Sequence, residues 1–530
     1  MVKISSRAIP VLVAMAATAG LEAEKRPNII FIFSDDHATH AISAYKGFFS
    51  EISPTPNIDR IAADGALLTN VFCTNAISGP SRACVLTGKY SHKNGYYKNE
   101  QGGLFNNIQW TFPQELQRNG YQTALFGKWH LASEPVGFDV YKYHNNPNQQ
   151  GTYRDPVYNE NGTNVRVQGY ATNLTTDFAL NWLINRKESD QLFCMLLQYK
   201  APHREWSPDS MYHDLFKDID IPEPHSFNDN YRGRELTAGN THMTMAYLNR
   251  FDMKLTPPGG ISGKELQQWL DWGNNPGQNF APFEGMTEEA IKKWKYQRYI
   301  KDYLATVRSV DDNIGRVLSY LKTNGLEENT IIIYSSDQGF FLGDHGFFDK
   351  RFMYEEALRM PFVIRYPGKI KPGTVCDDII TNVDFAPAIL DMAGIKAPRD
   401  VQGRSFLPNL FGKTARNWQK SMYYHYYEFP LWHHVQPHYG IRTERYKLIH
   451  FYYSVDVWEL YDLHTDPDEL HNLIHDPVHA PLIVGLKKEL KKLMIKTGNN
   501  RSLEEFRKIT DTDFGGLDTK KITLIRPLKN

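Results

Sequence analysis

Two short acidic stretches are the first candidates for chemistry. Ser34-Asp35-Asp36-His37 closes the apolar run Asn28 to Phe33, and Ser336-Asp337-Gln338-Gly339 closes the run Thr330 to Ser335. Carboxylates and an amide oxygen are hard ligands suited to Ca²⁺ or Mg²⁺. Asp-Asp alone also reads as a solvated turn, but two strands delivering hard ligands to one sheet edge are a much rarer coincidence. Between them lies Ile77-Ser78-Gly79-Pro80-Ser81-Arg82 through Leu86-Thr87-Gly88. Pro80 suits a first helical position and Gly88 a stop, which sets Ser78 and Gly79 at or just before the N-cap. A helix N-terminus with Arg82 one turn in is an anion site, although a serine there is more often only a cap. Lys128 and His130, at i and i+2 in Gly127-Lys128-Trp129-His130, follow a strand and face one cleft. His203 ends Lys200-Ala201-Pro202-His203 after another; taken alone it would be ordinary.

The elements that must position these residues alternate. Continuous β-branched and apolar runs predict buried parallel strands over 28–33, 192–197 and 330–335, with further strands over 66–72, 123–126 and 361–366. Open α/β sheets place ligands beyond the carboxyl ends of such strands. Thr55-Pro56 and Phe112-Pro113 start helices that Gly65 and Gly120 end. Residues 174–187 form an amphipathic helix on Phe178, Trp182 and Leu183. A long helix over 287–324 carries Ile300, Tyr303, Leu304, Val307, Val310, Ile314, Val317, Leu318 and Leu321 at core spacing. Residues 140–171 read as a polar loop near the cleft, and 204–286 give little signal. After about residue 400 the pattern changes to aromatic strands (446–453, 458–463) and a basic helix over 481–496.

Ser78-x-Pro80-Ser81-Arg82 with Leu86-Thr87-Gly88 resembles the signature of the type I sulfatases, and partner motifs recur in family order over about residues 26–475. The resemblance implies an alkaline-phosphatase-like α/β sandwich around a large, mostly parallel sheet, with a smaller C-terminal α+β domain. The corresponding division is 1–23 signal peptide, 24–410 catalytic domain and 411–530 C-terminal subdomain. It implies oxidation of Ser78 to Cα-formylglycine by a radical-type maturation enzyme, and Ca²⁺ on Asp35, Asp36, Asp337, Gln338 and the modified Ser78. Gln338 stands where the family usually has Asn, and where related phosphatases place a His of a two-zinc site. It therefore argues for one hard cation. Lys128 and Lys350 match the sulfate-binding lysines, Arg82 would steady the hydrated aldehyde, and His203 would protonate the leaving oxygen. His130 would then take a proton to expel sulfate. A phosphodiesterase or phosphonate hydrolase on the same fold, and a sugar-binding protein with an unmodified Ser78, are the competing readings.

The run from Asp337 to Glu355, with His438-Tyr439-Gly440-Ile441-Arg442-Thr443, looks most like bacterial N-acetylglucosamine-6-O-sulfatases. That likeness suggests Asp344, His345, Arg351 and His438 as substrate-binding residues for a sulfated carbohydrate. Basic and acidic residues balance at 60 each, so nothing points to nucleic acid or an anionic membrane. Lys3, Arg7 and the apolar stretch Ala8 to Leu21 read as an export signal with cleavage after Ala19 or Ala23, too short for a membrane span. A periplasmic enzyme of a Gram-negative bacterium is the expectation. Four cysteines without metal spacing predict free, buried thiols.

Overall fold

A computed structural model describes residues 26–146, 149–186, 189–257, 263–264, 266–267 and 285–515. The expected signal segment 1–23 lies outside the described residues. Ten strands make one sheet, in the order Thr374–Cys376, Ala66–Leu68, Phe362–Arg365, Thr330–Ser336, Asn28–Ser34, Phe193–Gln198, Gln122–Gly127, Val140–His144, Val157–Glu160 and Thr163–Arg166. The five from Thr330–Ser336 to Val140–His144 run parallel, and Phe362–Arg365 is antiparallel to both neighbours.

Because side chains alternate along a strand, Asn28–Ser34 feeds two cores. Ile29, Phe31 and Phe33 join the Ala83, Val85 and Leu86 side. Ile30 and Ile32 join Val310, Ile314, Val317, Leu318 and Leu321 of the long helix Glu288–Thr323 on the other. Each such fully buried apolar side chain contributes about 1.5–3 kcal/mol. The helix Ser78–Thr87 is thus clamped against one face of the sheet while the long helix covers the opposite face. All four cysteines are free and buried.

Three sequence expectations need correction. The segment 140–171 is not a loop but extends the main sheet by three strands, whose polar, half-exposed side chains hide the period of two. The strand expected over 66–72 is split between two sheets, since Val71–Phe72 pairs with Ile380–Thr381 instead. The Ser78 helix begins at Ser78 itself, two residues before Pro80, with extended Ile77 as its cap.

Strands Ser421–Tyr426, His438–Thr443, Tyr446–Phe451 and Val457–Asp462 form an antiparallel meander. Its outer face packs Tyr423, Tyr439, Ile441 and Leu448 against helices Ala480–Thr497 and Leu503–Asp511. Its inner face puts Tyr424, Tyr426, Ile449 and Phe451 into the core beneath the main sheet.

Candidate active site

The two acidic strand ends meet. Ser34 pairs in register with Ser336, so the residues that follow emerge side by side. Adjacent side chains on a strand would point apart, but Asp36 has φ 65°. That left-handed residue, uncommon outside glycine, folds the chain so that Asp35 and Asp36 reach one site. Asp337 closes the group by accepting from the Asp36 backbone N–H at 3.1 Å. Asp35, Asp36 and Asp337 are all buried.

Ser78 donates from Oγ to Asp35 Oδ1 at 3.1 Å rather than capping its own helix. Gly79 lets the helix start pack closely, because a Cβ there would stand 2.7 Å from Tyr96 and 2.8 Å from Asn99 Oδ1. One turn on, Arg82 donates from Nε to Asp337 Oδ2 at 3.2 Å and from Nη1 to Gln198 Oε1 at 2.9 Å, with Nη2 3.6 Å from Asp35. Lys128 donates to Asp35 Oδ2, and Lys350 grips both Asp36 oxygens at 2.6 and 2.7 Å. His203 Nε2 lies 3.7 Å from Asp36, its Nδ1 2.6 Å from the Arg204 carbonyl oxygen. His130 is buried at φ 57°, with no hydrogen-bond partner at Nδ1.

The electrostatics are uneven. Burial lifts the Asp35 carboxyl, but Lys128, His203 and Arg82 outweigh it and hold it well below the usual range. Asp36 is driven well above that range by burial and by Asp35 and Asp337, despite Lys350. Asp337 is pushed up to about 6 by burial and Asp35. Burial also pulls Lys128 down to about 8 against the attraction of Asp35. Both His130 and His203 are held well below their ordinary value, by burial first and Lys128 second.

The sulfatase family model matches residues 27–395, and that of the N-sulphoglucosamine sulphohydrolase C-terminal region matches 343–496. The chain belongs to the sulfatase family. It is 46% identical to an N-acetylglucosamine-6-O-sulfatase of Bacteroides thetaiotaomicron, over 91% of this chain and 88% of that one. A solved structure of an enzyme bound to its substrate D-glucosamine-2-N,6-O-disulfate matches with TM-score 0.86 and 44% identity, covering 91% of this chain and all of the other. The phosphonate monoester hydrolase of Agrobacterium radiobacter, at TM-score 0.66 and 21% identity, covers 89% of this chain and 96% of its own, and shares the fold.

This sulfatase has the donors for one hard cation. Oxygens of Asp35 and Asp36 and a nitrogen of His203 lie within 4.8 Å of one another. Gln338 donates from Nε2 to Asp36 and, at 2.8 Å, to Asp337, while its Oε1 is buried without a partner. Rotation of the amide about its last bond presents that oxygen to the same carboxylates. Raised carboxylates packed together with an orphaned amide oxygen are what a cation site looks like with its own charge left out.

The residues suggested for the sugar fare differently. His438 is fully buried: Nδ1 meets the Gln436 carbonyl oxygen, Nε2 accepts from Met353 N–H, and Tyr424, Phe352 and Phe451 enclose the ring. His345 is fully buried too, bonded to Asp229 at 2.8 Å beside Tyr354. Both rings are packed among protein partners away from Ser78; a histidine in sequence does not reveal which side of its strand or turn it takes. Asp344 pairs with His40 at 3.4 Å and accepts from Leu342 N–H. Among the described contacts, none links these three to Ser78, Lys128 or Lys350. Arg351 does adjoin the site, but its guanidinium is committed to Glu428 at 2.9 Å, Tyr426 and Asp349.

Several neighbours carried no sequence signal. Gln150 reaches Lys128 at 3.4 Å from the segment read as a loop. Asp349 is tied to His433 at 3.1 Å, and Arg204 to Asp252 at 2.6 and 2.7 Å.

Proposed function

We propose that the chain hydrolyses 6-O-sulfate esters of N-acetylglucosamine or glucosamine in glycosaminoglycan-derived sugars, using Ser78 as Cα-formylglycine and one Ca²⁺. The observation that carries the reading is Ser78 hydrogen-bonded to a buried carboxylate cluster between two lysines, in a chain 46% identical to an enzyme of that activity. The neighbour that holds a glucosamine disulfate supports the choice of sugar.

Ca²⁺ would be held by Asp35, Asp36, Asp337, Gln338 and residue 78, adding positive charge beside the sulfate oxygens. Formylglycine would supply, as its hydrate, two hydroxyls on one carbon where serine offers one. The chain's own residues do the rest. Lys128, on Asp35, and Lys350, on Asp36, would neutralise charge that spreads over the sulfate oxygens during transfer, and Arg82 would steady residue 78. When the S–O bond to the sugar breaks, the leaving oxygen needs a proton, which His203 delivers from Nε2. The Arg204 carbonyl oxygen orients that ring through Nδ1. His130, with Nδ1 unpartnered, receives a proton from the residue-78 side.

Export, with removal of residues 1–23, belongs to the same proposal; among the described residues no helix is long and apolar enough to cross a membrane. The N-terminal sequence of mature protein from the periplasm tests it. The substrate is tested with a panel of monosulfated sugars. Desulfation of 6-O-sulfated N-acetylglucosamine should exceed that of 6-O-sulfated N-acetylgalactosamine, 2-O-sulfated uronate and 4-O-sulfated galactosamine. Preference for a ring-position sulfate would overturn the sugar assignment.

A further inference from the structure

Residues 78 and 350 lie 272 positions apart in the chain, and hydrogen bonds from the small C-terminal sheet bridge their loops. Tyr424, on its edge strand Ser421–Tyr426, is fully buried. Its hydroxyl accepts from the Ala76 backbone N–H at 3.1 Å and donates to the Arg351 carbonyl oxygen at 2.5 Å. One oxygen thus spans the segment two residues before Ser78 and the residue just after Lys350. His425 adds a backbone bond, N–H to the Thr74 carbonyl oxygen at 3.0 Å.

A second strut runs parallel to the first. Glu428, 2% exposed, accepts from Arg351 Nη1 at 2.9 Å with one oxygen. Its other oxygen accepts from the backbone N–H of Asn99 at 2.8 Å and of Glu100 at 3.0 Å. The Asn99 side chain in turn accepts from Gly79 N–H at 2.9 Å, next to Ser78. The turn carrying Lys350 needs such support: its flanks Asp349 and Arg351 sit at φ 78° and 92°. Those are costly values for non-glycine residues, and they persist where the surroundings over-determine them.

We infer that Tyr424 and Glu428 are positioning residues, through which the C-terminal sheet sets the distance between residue 78 and Lys350. The inference rests on the sulfatase reading for what that distance is used for. Neither residue touches the reacting atoms. Binding of the sugar would survive a small slip between the two loops, whereas in-line attack would not; misplacement by about 1 Å can cost on the order of a hundredfold in rate.

The neighbouring Tyr423 is the built-in control. It points to the opposite face, where its hydroxyl meets His425 and Asn499. Full-length Tyr424→Phe, Glu428→Gln and Tyr423→Phe proteins should be compared with wild type, with Ser78 conversion read from peptide mass so that rates are expressed per converted chain. Expected for Tyr424→Phe is a kcat on the 6-O-sulfated sugar lowered about tenfold or more with KM within about twofold. Its Ala76 peptide should also exchange hydrogen faster, having lost its acceptor. Tyr423→Phe should melt earlier yet keep kcat and Ala76 protection. If Tyr424→Phe does not fold, Glu428→Gln carries the kcat and KM comparison. Wild-type kcat in whichever of the two folds, or equal kcat losses in Tyr423→Phe and Tyr424→Phe, would overturn the inference. A wild type inactive on every sulfate ester would instead sink the functional reading, and Ala76 exchange would still decide whether the strut exists.

Discussion

Around Asp35, Asp36 and Asp337 carboxylate presses on carboxylate, whereas Glu355, its side chain 12% exposed, has three bases on it. Arg359 reaches Glu355 at 2.6 Å, Lys447 at 3.0 Å and Arg442 at 3.2 Å. Burial lifts the Glu355 carboxyl, yet Arg442, Lys447 and Arg359 outweigh it and hold it well below the ordinary range. Asp36 and Asp337, with Lys350 and Arg82 as close, stay above it. The Glu355 cluster is balanced by the protein itself and ties the C-terminal sheet to the turn after Lys350. The Asp36 cluster is balanced only when another positive charge joins it. Of these two clusters, the one whose carboxylates stay raised is the one beside Ser78.

The sharpest way to separate the two clusters is to remove the cation. Chelation should abolish turnover, and Ca²⁺ should restore it better than Zn²⁺; two zincs per chain by metal analysis would contradict the single hard-cation site. Next in size is His203→Ala, expected to cost about 10²–10⁴-fold on sugar sulfates and far less on aryl sulfates, whose leaving group needs little protonation. Equal losses on both would remove His203 from the acid role. Glu355→Gln should do the reverse of chelation. Leaving Arg442 short of its carboxylate, while Lys447 keeps Glu469 at 2.7 Å, should cost about 3 kcal/mol of stability, seen in denaturant melts, with Ca²⁺ affinity unchanged. A weakened affinity would show that the clusters are not independent.

The smallest effect is on pH. The Asp337 carboxyl is raised from 3.8 to about 6 in the folded chain, by burial and then Asp35. A raised carboxyl binds its proton more tightly when folded, so its stabilisation is complete below 3.8 and is lost as pH rises through about 6. Asp35, held low, does not change over that window's upper half. The rise in melting temperature on adding saturating Ca²⁺ should therefore be larger at about pH 7, where the Asp337 carboxyl has lost its proton, than at about pH 5. A Ca²⁺-induced rise that is equal at the two pH values would contradict the crowding of carboxylates.

The central strands and their acidic ends were legible because an uninterrupted apolar run admits few alternatives. The Ser78 helix was legible through its proline, arginine and closing glycine. What stayed hidden depends on direction or on distance in the chain. Nothing local marks Asp36 as left-handed, or tells that His438 turns into an aromatic cage while Arg351 turns to Glu428. The edge strands over 140–166 lacked alternation because solvent takes part of both faces. Tyr424 acts across 348 residues to Ala76, a separation that single-sequence patterns cannot bridge.

The central claim is that Ser78, held on the carboxylate cluster, becomes the group that attacks sulfate. The peptide spanning Ile77 to Lys89 should be weighed after digestion of active protein purified from its native host. Its mass should be lower by the two hydrogens that leave when the serine hydroxymethyl is oxidised to an aldehyde. Intact serine throughout, in a preparation that turns over sulfate esters, would contradict it.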